Sequence, residues 1–88
     1  MFASWGVETI RKYTAEQLKA ALKALDEGSY GTVLRAKGIV AGQDGNWLYF
    51  DHVPGEADVR TGSADVIGRL CVIGAELDEA ALKTLFEV

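Results

Sequence analysis

Two cations and two aromatic side chains are the residues of this sequence best suited to bind a partner. Arg35 and Lys37 lie two positions apart in a run rich in β-branched residues, so strand alternation places both on one face. Trp47 and Tyr49 alternate in the same way in a later run, and a hairpin can bring them beside the cations. Such a face suits an acidic partner, a phosphate or a neighbouring domain. Alternatively, it is the solvated side of a sheet, where cross-strand packing is the only role of these side chains.

The other residues with chemical potential are isolated in the sequence. Cys71 is the only cysteine and lies in an apolar run, so we expect it to pack as a small, buried hydrophobic side chain. His52 is the only histidine, and we expect a hydrogen-bonded surface residue rather than a ligand of a metal site completed by another domain. Asp78 and Glu79 suit a helix N terminus, which makes an acid–base role unnecessary. No catalytic, cofactor-binding or metal-binding residue is predicted, and an enzyme is the least favoured function class.

Two helices are predicted from capping residues and apolar periodicity. The first covers Thr14–Gly28, where Thr14 and Gln17 form a capping box and Gly28 supplies a left-handed C-cap. The second begins at the N-cap Asp78 and runs towards the end of the chain. The apolar positions that recur at helical spacing are Leu18, Ala21, Leu22 and Leu25 in the first helix and Ala81, Leu82, Leu85 and Phe86 in the second.

Four or five strands are predicted from alternation and turn residues. The segments are Trp5–Lys12, Thr32–Ala41, Asn46–Val53, a short optional strand at Ala57–Thr61, and Gly68–Gly74. The glycine-rich turn at positions 42–45 predicts an antiparallel return of the strand that follows it. The last strand is nearly apolar on both faces, which is typical of a central strand.

These elements predict a two-layer α+β domain, with a mixed, mostly antiparallel sheet and both helices on one face. Alternation places Leu34, Ala36 and Val40 beneath the helices, and Val33 and Ile39 on the opposite face with the two cations. Because two helices cover only one face, the face with Arg35, Lys37, Trp47 and Tyr49 is expected to be at least partly exposed.

Length and charge limit the possible functions. The 88 residues form one predicted domain, 1–88, without repeats or linkers. A formal net charge of −4 and a pI near 4.8 argue against general binding to nucleic acids or to anionic membranes. No apolar run approaches the roughly 20 residues of a membrane span. The first residues lack a basic region and a long apolar region, so no signal peptide is predicted and a cytoplasmic location is expected.

Four segments, in order, resemble the C-terminal domain of the CobW-type GTPases. The strand at Val33–Val40 contains the sequence LRAKG, and Gly68–Gly74 has the sequence GRLCVIG. The helix that follows begins with LDEAAL at Leu77–Leu82, and the hairpin at Gly45–Gly55 is also similar to that of the family. The resemblance covers nearly the whole chain, and the order of the segments makes it more specific than any one of them.

The resemblance implies an accessory domain rather than a complete enzyme. CobW-type proteins are P-loop GTPases implicated in cobalt or zinc delivery and in cobalamin biosynthesis, and their nucleotide and metal sites lie in an N-terminal domain. That domain requires a G-x-x-x-x-G-K-[ST] loop to hold phosphate and carries a Cys-x-Cys-Cys metal motif. Neither string occurs in this sequence. The resemblance therefore implies a non-catalytic C-terminal domain taken from a larger GTPase, with no cofactor of its own.

The resemblance also implies which partners to expect. GTP and a divalent metal are expected in the parent GTPase domain, which would be the first partner of this chain, with a metalloprotein client as a second. The contacts would use the face with Arg35, Lys37, Trp47 and Tyr49. The alternative is a free-standing small binding module that uses the same face for a ligand or RNA, where aromatic and basic residues share an open sheet.

Overall fold

Six strands and two helices are present in the computed structural model, which describes residues 2–88. The strands are β1 (Phe2–Thr9), β2 (Lys12–Tyr13), β3 (Thr32–Gly42), β4 (Trp47–Val53), β5 (Glu56–Gly62) and β6 (Gly68–Ala75). The helices are α1 (Ala15–Ala24), which continues as a 3₁₀ turn over Leu25–Glu27, and α2 (Glu79–Phe86). In residues 2–88, no helix is long and apolar enough to cross a membrane.

The strands form one sheet in the order β1-β6-β3-β4-β5, with antiparallel pairing between neighbours. The two-residue strand β2 lies off this path and pairs with β3 in parallel. The predicted α+β class and mostly antiparallel sheet are confirmed, and the optional fifth strand is β5. A bridge as short as β2 shows no alternation, so the sequence does not reveal it. The first strand spans Phe2–Thr9 rather than the predicted Trp5–Lys12, because the chain leaves its pairing with β6 after Thr9.

Both helices pack on the same face of the sheet, as predicted. Phe86 of α2 lies at the centre, where its ring stacks on Trp5 and Phe50 with centroid separations of 6.1 and 6.4 Å. The helices bury Leu18, Ala21, Leu22, Leu25, Leu82 and Phe86. The strands bury Trp5, Tyr13, Val33, Ala36, Val40, Leu48, Phe50, Leu70 and Val72.

A β-bulge in β3 reverses part of the predicted facing. The pairing of β3 with β6 shifts register between Val33 and Arg35, so one residue is added and the alternation moves by one position. As a result Val33 is buried at 6% exposure while Leu34 is 40% exposed, opposite to the prediction for both residues. Ala36 and Val40 follow the bulge and are buried, as predicted.

The predicted helix caps are confirmed. The Thr14 side chain accepts from the backbone N–H of Gln17 at 3.1 Å, and the Gln17 side chain accepts from the Thr14 N–H at 2.9 Å. Gly28 ends the 3₁₀ turn with φ of 82°, a conformation that favours glycine. Asp78 caps α2 by accepting from the N–H of Ala81 at 3.1 Å. Local side-chain bonds therefore fix where both helices begin.

The side chains of β4 alternate regularly between the two faces of the sheet. Leu48, Phe50 and His52 are buried beneath the helices, and Trp47, Tyr49 and Asp51 alternate with them on the other face. The Phe50 ring lies over Gly38 of β3, where a Cβ would come within 2.6 Å of Phe50 Cε2. Glycine at position 38 is thus required for the central aromatic packing.

Candidate functional site

The face of the sheet opposite the helices, here called the open face, carries a concentration of cations. Because directly opposite residues share a face, the strand pairings identify its members. The charged residues on it are Lys12, Arg35, Lys37, Arg60 and Arg69, with Glu8, Asp51, Glu56 and Asp58. These are five of the nine Lys and Arg of the chain but four of its thirteen Asp and Glu. The open face therefore has a net charge near +1, whereas the rest of the chain is near −5.

The structure places all four predicted site residues on the open face. Arg35 and Lys37 are exposed, whereas Trp47 and Tyr49 are half-buried. Asp51 of β4 lies directly opposite Lys37, and Tyr49 lies two residues from Asp51 on the same face of β4. Trp47 lies opposite Ala41, about 14 Å from Lys37 along the strand direction. The structure thus brings Tyr49 close to the cations but leaves Trp47 at the other end of the face.

Arg35 is already engaged within the domain. Its Nε donates to Asp51 Oδ1 at 3.2 Å and its Nη2 donates to Oδ2 at 3.1 Å, which is a bidentate pair. The hydrogen bond from Arg35, followed by its charge, lowers the pKa of Asp51, and the same contacts raise the pKa of Arg35. Lys37 also lies opposite Asp51 but forms no ion pair among residues 2–88. Lys37 is therefore the more available of the two predicted cations.

A shallow groove of about 290 Å³ lies at the centre of the open face. Its lining includes three cations, Lys37, Arg60 and Arg69, around the side chains of Ile39 and Tyr49. Arg60 and Arg69 are functional candidates that the sequence did not reveal. Each occupies an ordinary alternating position, and only the register, which pairs Arg60 with Tyr49 and Arg69 with Ile39, brings them to the same groove.

Cys71 lies at the edge of this groove and is only half-buried, so the expectation of a fully buried thiol is wrong. Its strand is central, as predicted, but only one face of that strand is covered by the helices. Cys71 lies on the other face, directly opposite Lys37. The thiol therefore provides a natural probe of whether the groove is covered.

His52 is a core residue at 1% exposure, so the prediction of a surface histidine is wrong. The alternation of β4 continues through His52 and directs its ring under the end of α1. There Nε2 lies 3.3 Å from Asp26 Oδ1, but the geometry does not make a hydrogen bond, and neither ring nitrogen has another partner in residues 2–88. Asp26 Oδ1 also accepts from the N–H of Gly55 at 3.3 Å. Asp26 thus connects the β4–β5 turn to the end of the helix.

A metal centre is not formed by this part of the chain. Among residues 2–88, no group of three or more His, Cys, Asp or Glu side chains is arranged to hold a metal ion. His52 and Cys71 lie on opposite faces of the sheet, so they could not share a metal ion. The open face offers charged groups around an apolar centre, an arrangement that can contact a partner.

Comparison with known proteins identifies the family. The family model described as the cobalamin synthesis protein cobW C-terminal domain matches residues 2–88. No curated protein matches the chain.

Two solved structures have the same fold. The Zn(II)-bound YjiA GTPase from E. coli is 23% identical with a TM-score of 0.76, and a Zn(II)-bound triple mutant of YjiA is 21% identical with a TM-score of 0.81. Each match covers 98% of this chain but only 29% of the YjiA chain. Because the family model matches residues 2–88, the chain belongs to the CobW C-terminal domain family.

Proposed function

We propose that this chain is the accessory C-terminal domain of a cytoplasmic CobW-type GTPase that takes part in cobalt or zinc delivery or in cobalamin biosynthesis. Its role is to dock through the open face on the GTPase domain of the same protein, and so to couple nucleotide state to the binding of metal or of a metalloprotein client. The family match and the coverage of 29% of a YjiA GTPase chain support a domain that acts within a larger protein.

The observation that carries the docking role is the one-sided packing of the sheet. Both helices cover one face, and the other presents half-buried Tyr49 beside exposed arginines, with half-buried Trp47 further along the same strand. Aromatic residues and arginine are enriched in protein interfaces relative to the rest of the surface. A sheet of this kind commonly has one solvated face, but that face is then usually polar along its whole length. Here Ile39 and Tyr49 form an apolar centre between the charges.

Nucleotide and metal chemistry are assigned to the parent protein in this proposal. The sequence has no phosphate-binding loop of the P-loop type, and the described residues hold no cluster of metal ligands. The domain would therefore act by contact, by packing on the GTPase domain in one nucleotide state and moving against it in another.

The reactivity of Cys71 tests the docking role directly. A maleimide would be reacted with the 88-residue chain and with the complete GTPase, and the peptide containing Cys71 would be quantified by mass spectrometry. We expect labelling of Cys71 to be about tenfold slower in the complete protein, because docking covers the groove. Labelling is also expected to change between the GTP- and GDP-bound states.

A cysteine introduced on the helical side serves as the matched control. Lys19→Cys places a thiol on the exposed surface of α1, away from the open face. This thiol is expected to react at the same rate in the chain and in the complete protein. Equal reactivity of Cys71 in both proteins, in every nucleotide state, would show that the open face is not covered.

A further inference from the structure

The groove on the open face has a geometry that specifies what could occupy it, provided that the proposed docking role holds. We propose that it binds an extended acidic segment of the partner, in which two carboxylates four residues apart flank an apolar side chain. The segment would lie across the strands, with its carboxylates on Arg69 and Arg60 and its apolar residue over Ile39 and Tyr49.

The spacing of the groove follows from the strand register. Arg69, Ile39, Tyr49 and Arg60 lie directly opposite one another in a single row across β6, β3, β4 and β5. Three steps between strands separate the backbones of the two arginines by about 14 Å. In an extended peptide, side chains four residues apart point to the same side and are also about 14 Å apart. The residue midway between them would then lie over the apolar part of the row.

The apolar centre of the row is held in place. The Tyr49 hydroxyl donates to the backbone carbonyl of Ser63 at 2.8 Å, and its ring lies over Gly62, where there is no Cβ to displace it. Ile39 lies opposite Tyr49 and is half-buried, so it offers a fixed apolar surface to a ligand. Because these side chains are already fixed, binding would cost little side-chain entropy, which favours affinity.

The cations around this centre are free to exchange partners. Arg60 pairs with Asp58 and Arg69 pairs with Asp65 at 3.5 Å, but the two arginine side chains are 54% and 57% exposed. Exposed pairs of this kind are weak and easily replaced. Lys37 lies beside the row and forms no ion pair among residues 2–88, so it can interact with a further acidic group of the segment.

The charge distribution favours an acidic peptide over RNA. The strand residues of the open face have a net charge near +1 and the rest of the chain is near −5, so an acidic segment would be attracted to the open face and repelled elsewhere. A phosphate backbone carries a charge at every nucleotide, so it would extend from the row onto Asp51, Asp58 and the acidic surface around them, whereas the two carboxylates of the proposed segment each lie on an arginine.

A peptide titration tests the inference on the 88-residue chain. The probe is the capped peptide Ser-Glu-Ser-Leu-Ser-Glu-Ser, followed by amide chemical shifts of the ¹⁵N-labelled chain. We expect the largest changes along the row from Arg69 to Arg60, and weaker binding as NaCl rises from about 50 to about 500 mM. A peptide with lysines in place of the glutamates, and one with the glutamates only two residues apart, should each bind about tenfold more weakly.

Charge reversal identifies the residues responsible. Arg60→Glu with Arg69→Glu should weaken binding of the acidic peptide about tenfold, whereas Lys19→Glu with Lys23→Glu, the same charge change on exposed positions of α1, should leave it unchanged. Should the first pair impair folding, Arg60→Gln with Arg69→Gln removes the charges alone and should still weaken binding. Equal binding of the acidic and basic peptides, no binding of either, or preferential binding of single-stranded RNA would overturn the inference.

The test of the acidic segment and the test of docking can fail independently. If Cys71 is protected in the complete GTPase and the Arg60 and Arg69 reversals do not increase its labelling, the domain docks but not through an acidic segment. If Cys71 is unprotected while the chain still binds the acidic peptide at the row, docking fails and the groove recognises acidic segments of another protein.

Discussion

The Tyr13 hydroxyl donates a buried hydrogen bond of 2.8 Å to the backbone carbonyl of Phe86, 73 positions along the chain. The bond satisfies one of the carbonyl groups that the last turn of α2 leaves without a partner in the helix. The same Phe86 stacks on Trp5 and Phe50. Tyr13 therefore fixes α2, a helix of only eight residues, to the short strand β2 at the rim of the sheet.

Removing this hydroxyl should weaken the fold and change its response to alkali. Tyr13→Phe loses the hydrogen bond and leaves a buried carbonyl unpaired, at a cost of about 1–3 kcal/mol in the free energy of unfolding. Burial raises the pKa of Tyr13 above its ordinary value of 10.0. Its contribution is therefore complete below pH 10 and is lost as the pH rises through the higher pKa of the folded state.

Urea denaturation at pH 8 and above pH 10 measures both effects of Tyr13→Phe. The difference between wild type and variant should shrink at the higher pH. Tyr49→Phe is the control, because its hydroxyl bond to Ser63 is exposed and its loss should cost less than about 0.5 kcal/mol. A Tyr13→Phe protein as stable as wild type at pH 8 would contradict the role of the bond.

The facing that the bulge gives to Leu34 can be tested by comparing its substitution with those of two core leucines. Leu22→Ala and Leu82→Ala remove fully buried side chains from α1 and α2, so each should cost about 2–5 kcal/mol. Leu34→Ala removes a side chain that is 40% exposed, and it should cost less than about 1 kcal/mol. Thermal and urea denaturation measure all three. A loss at Leu34 equal to that at Leu22 would mean that Leu34 packs in the core after all.

The sequence predicted those features that depend on neighbours in the chain. Thr14 with Gln17 and Asp78 with Ala81 form caps within a few residues, so local chemistry was sufficient to place the start of both helices. The alternation of β4 was equally direct and placed Tyr49 on the open face. The same alternation indicates that His52, two residues after Phe50, is buried. The usual preference of histidine for the surface favours the opposite assignment.

The features that the sequence missed depend on partners distant in the chain. The reversal of Val33 and Leu34 arises from a register shift against β6, some 40 residues later, and nothing in β3 alone marks it. The prediction of the residues that line the groove was incomplete for the same reason. Arg60 and Arg69 join Ile39 and Tyr49 only because β5 and β6 pair in one particular register, and a shift of one residue would turn both arginines to the helical face.

Asp26 should stabilise the turn between β4 and β5. Its Oδ1 accepts from the N–H of Gly55 and lies beside the buried ring of His52. Asp26→Ala removes both contacts and should cost about 1 kcal/mol, whereas Asp26→Asn keeps an acceptor and should cost less. Glu27→Ala, at the next exposed position, is the control. Urea denaturation measures the series, and an Asp26→Ala protein matching the control would show that the connection contributes nothing.

Nucleotide and metal binding by the 88-residue chain should be negligible. The sequence lacks a phosphate-binding loop, and no three metal-ligating side chains converge among residues 2–88. Calorimetric titration with GTP, and separately with zinc or cobalt, should give no tight binding. The complete GTPase, treated identically, is the positive control. Micromolar binding of GTP, or a tight one-to-one metal complex with the chain, would contradict the assignment of these functions to the parent domain.

The two cations first indicated by the sequence should be dispensable for folding and important for docking. Arg35 and Lys37 are exposed, and the pair between Arg35 and Asp51 lies in solvent, so Arg35→Ala with Lys37→Ala should leave the urea midpoint of the 88-residue chain unchanged. In the complete GTPase the same double change should weaken the contact of the two domains, seen as faster labelling of Cys71 and altered nucleotide-dependent activity. Lys19→Ala with Lys23→Ala should have neither effect. Unfolding of the chain by the first pair would make these cations structural, and a normal complete protein would make the open face merely solvated.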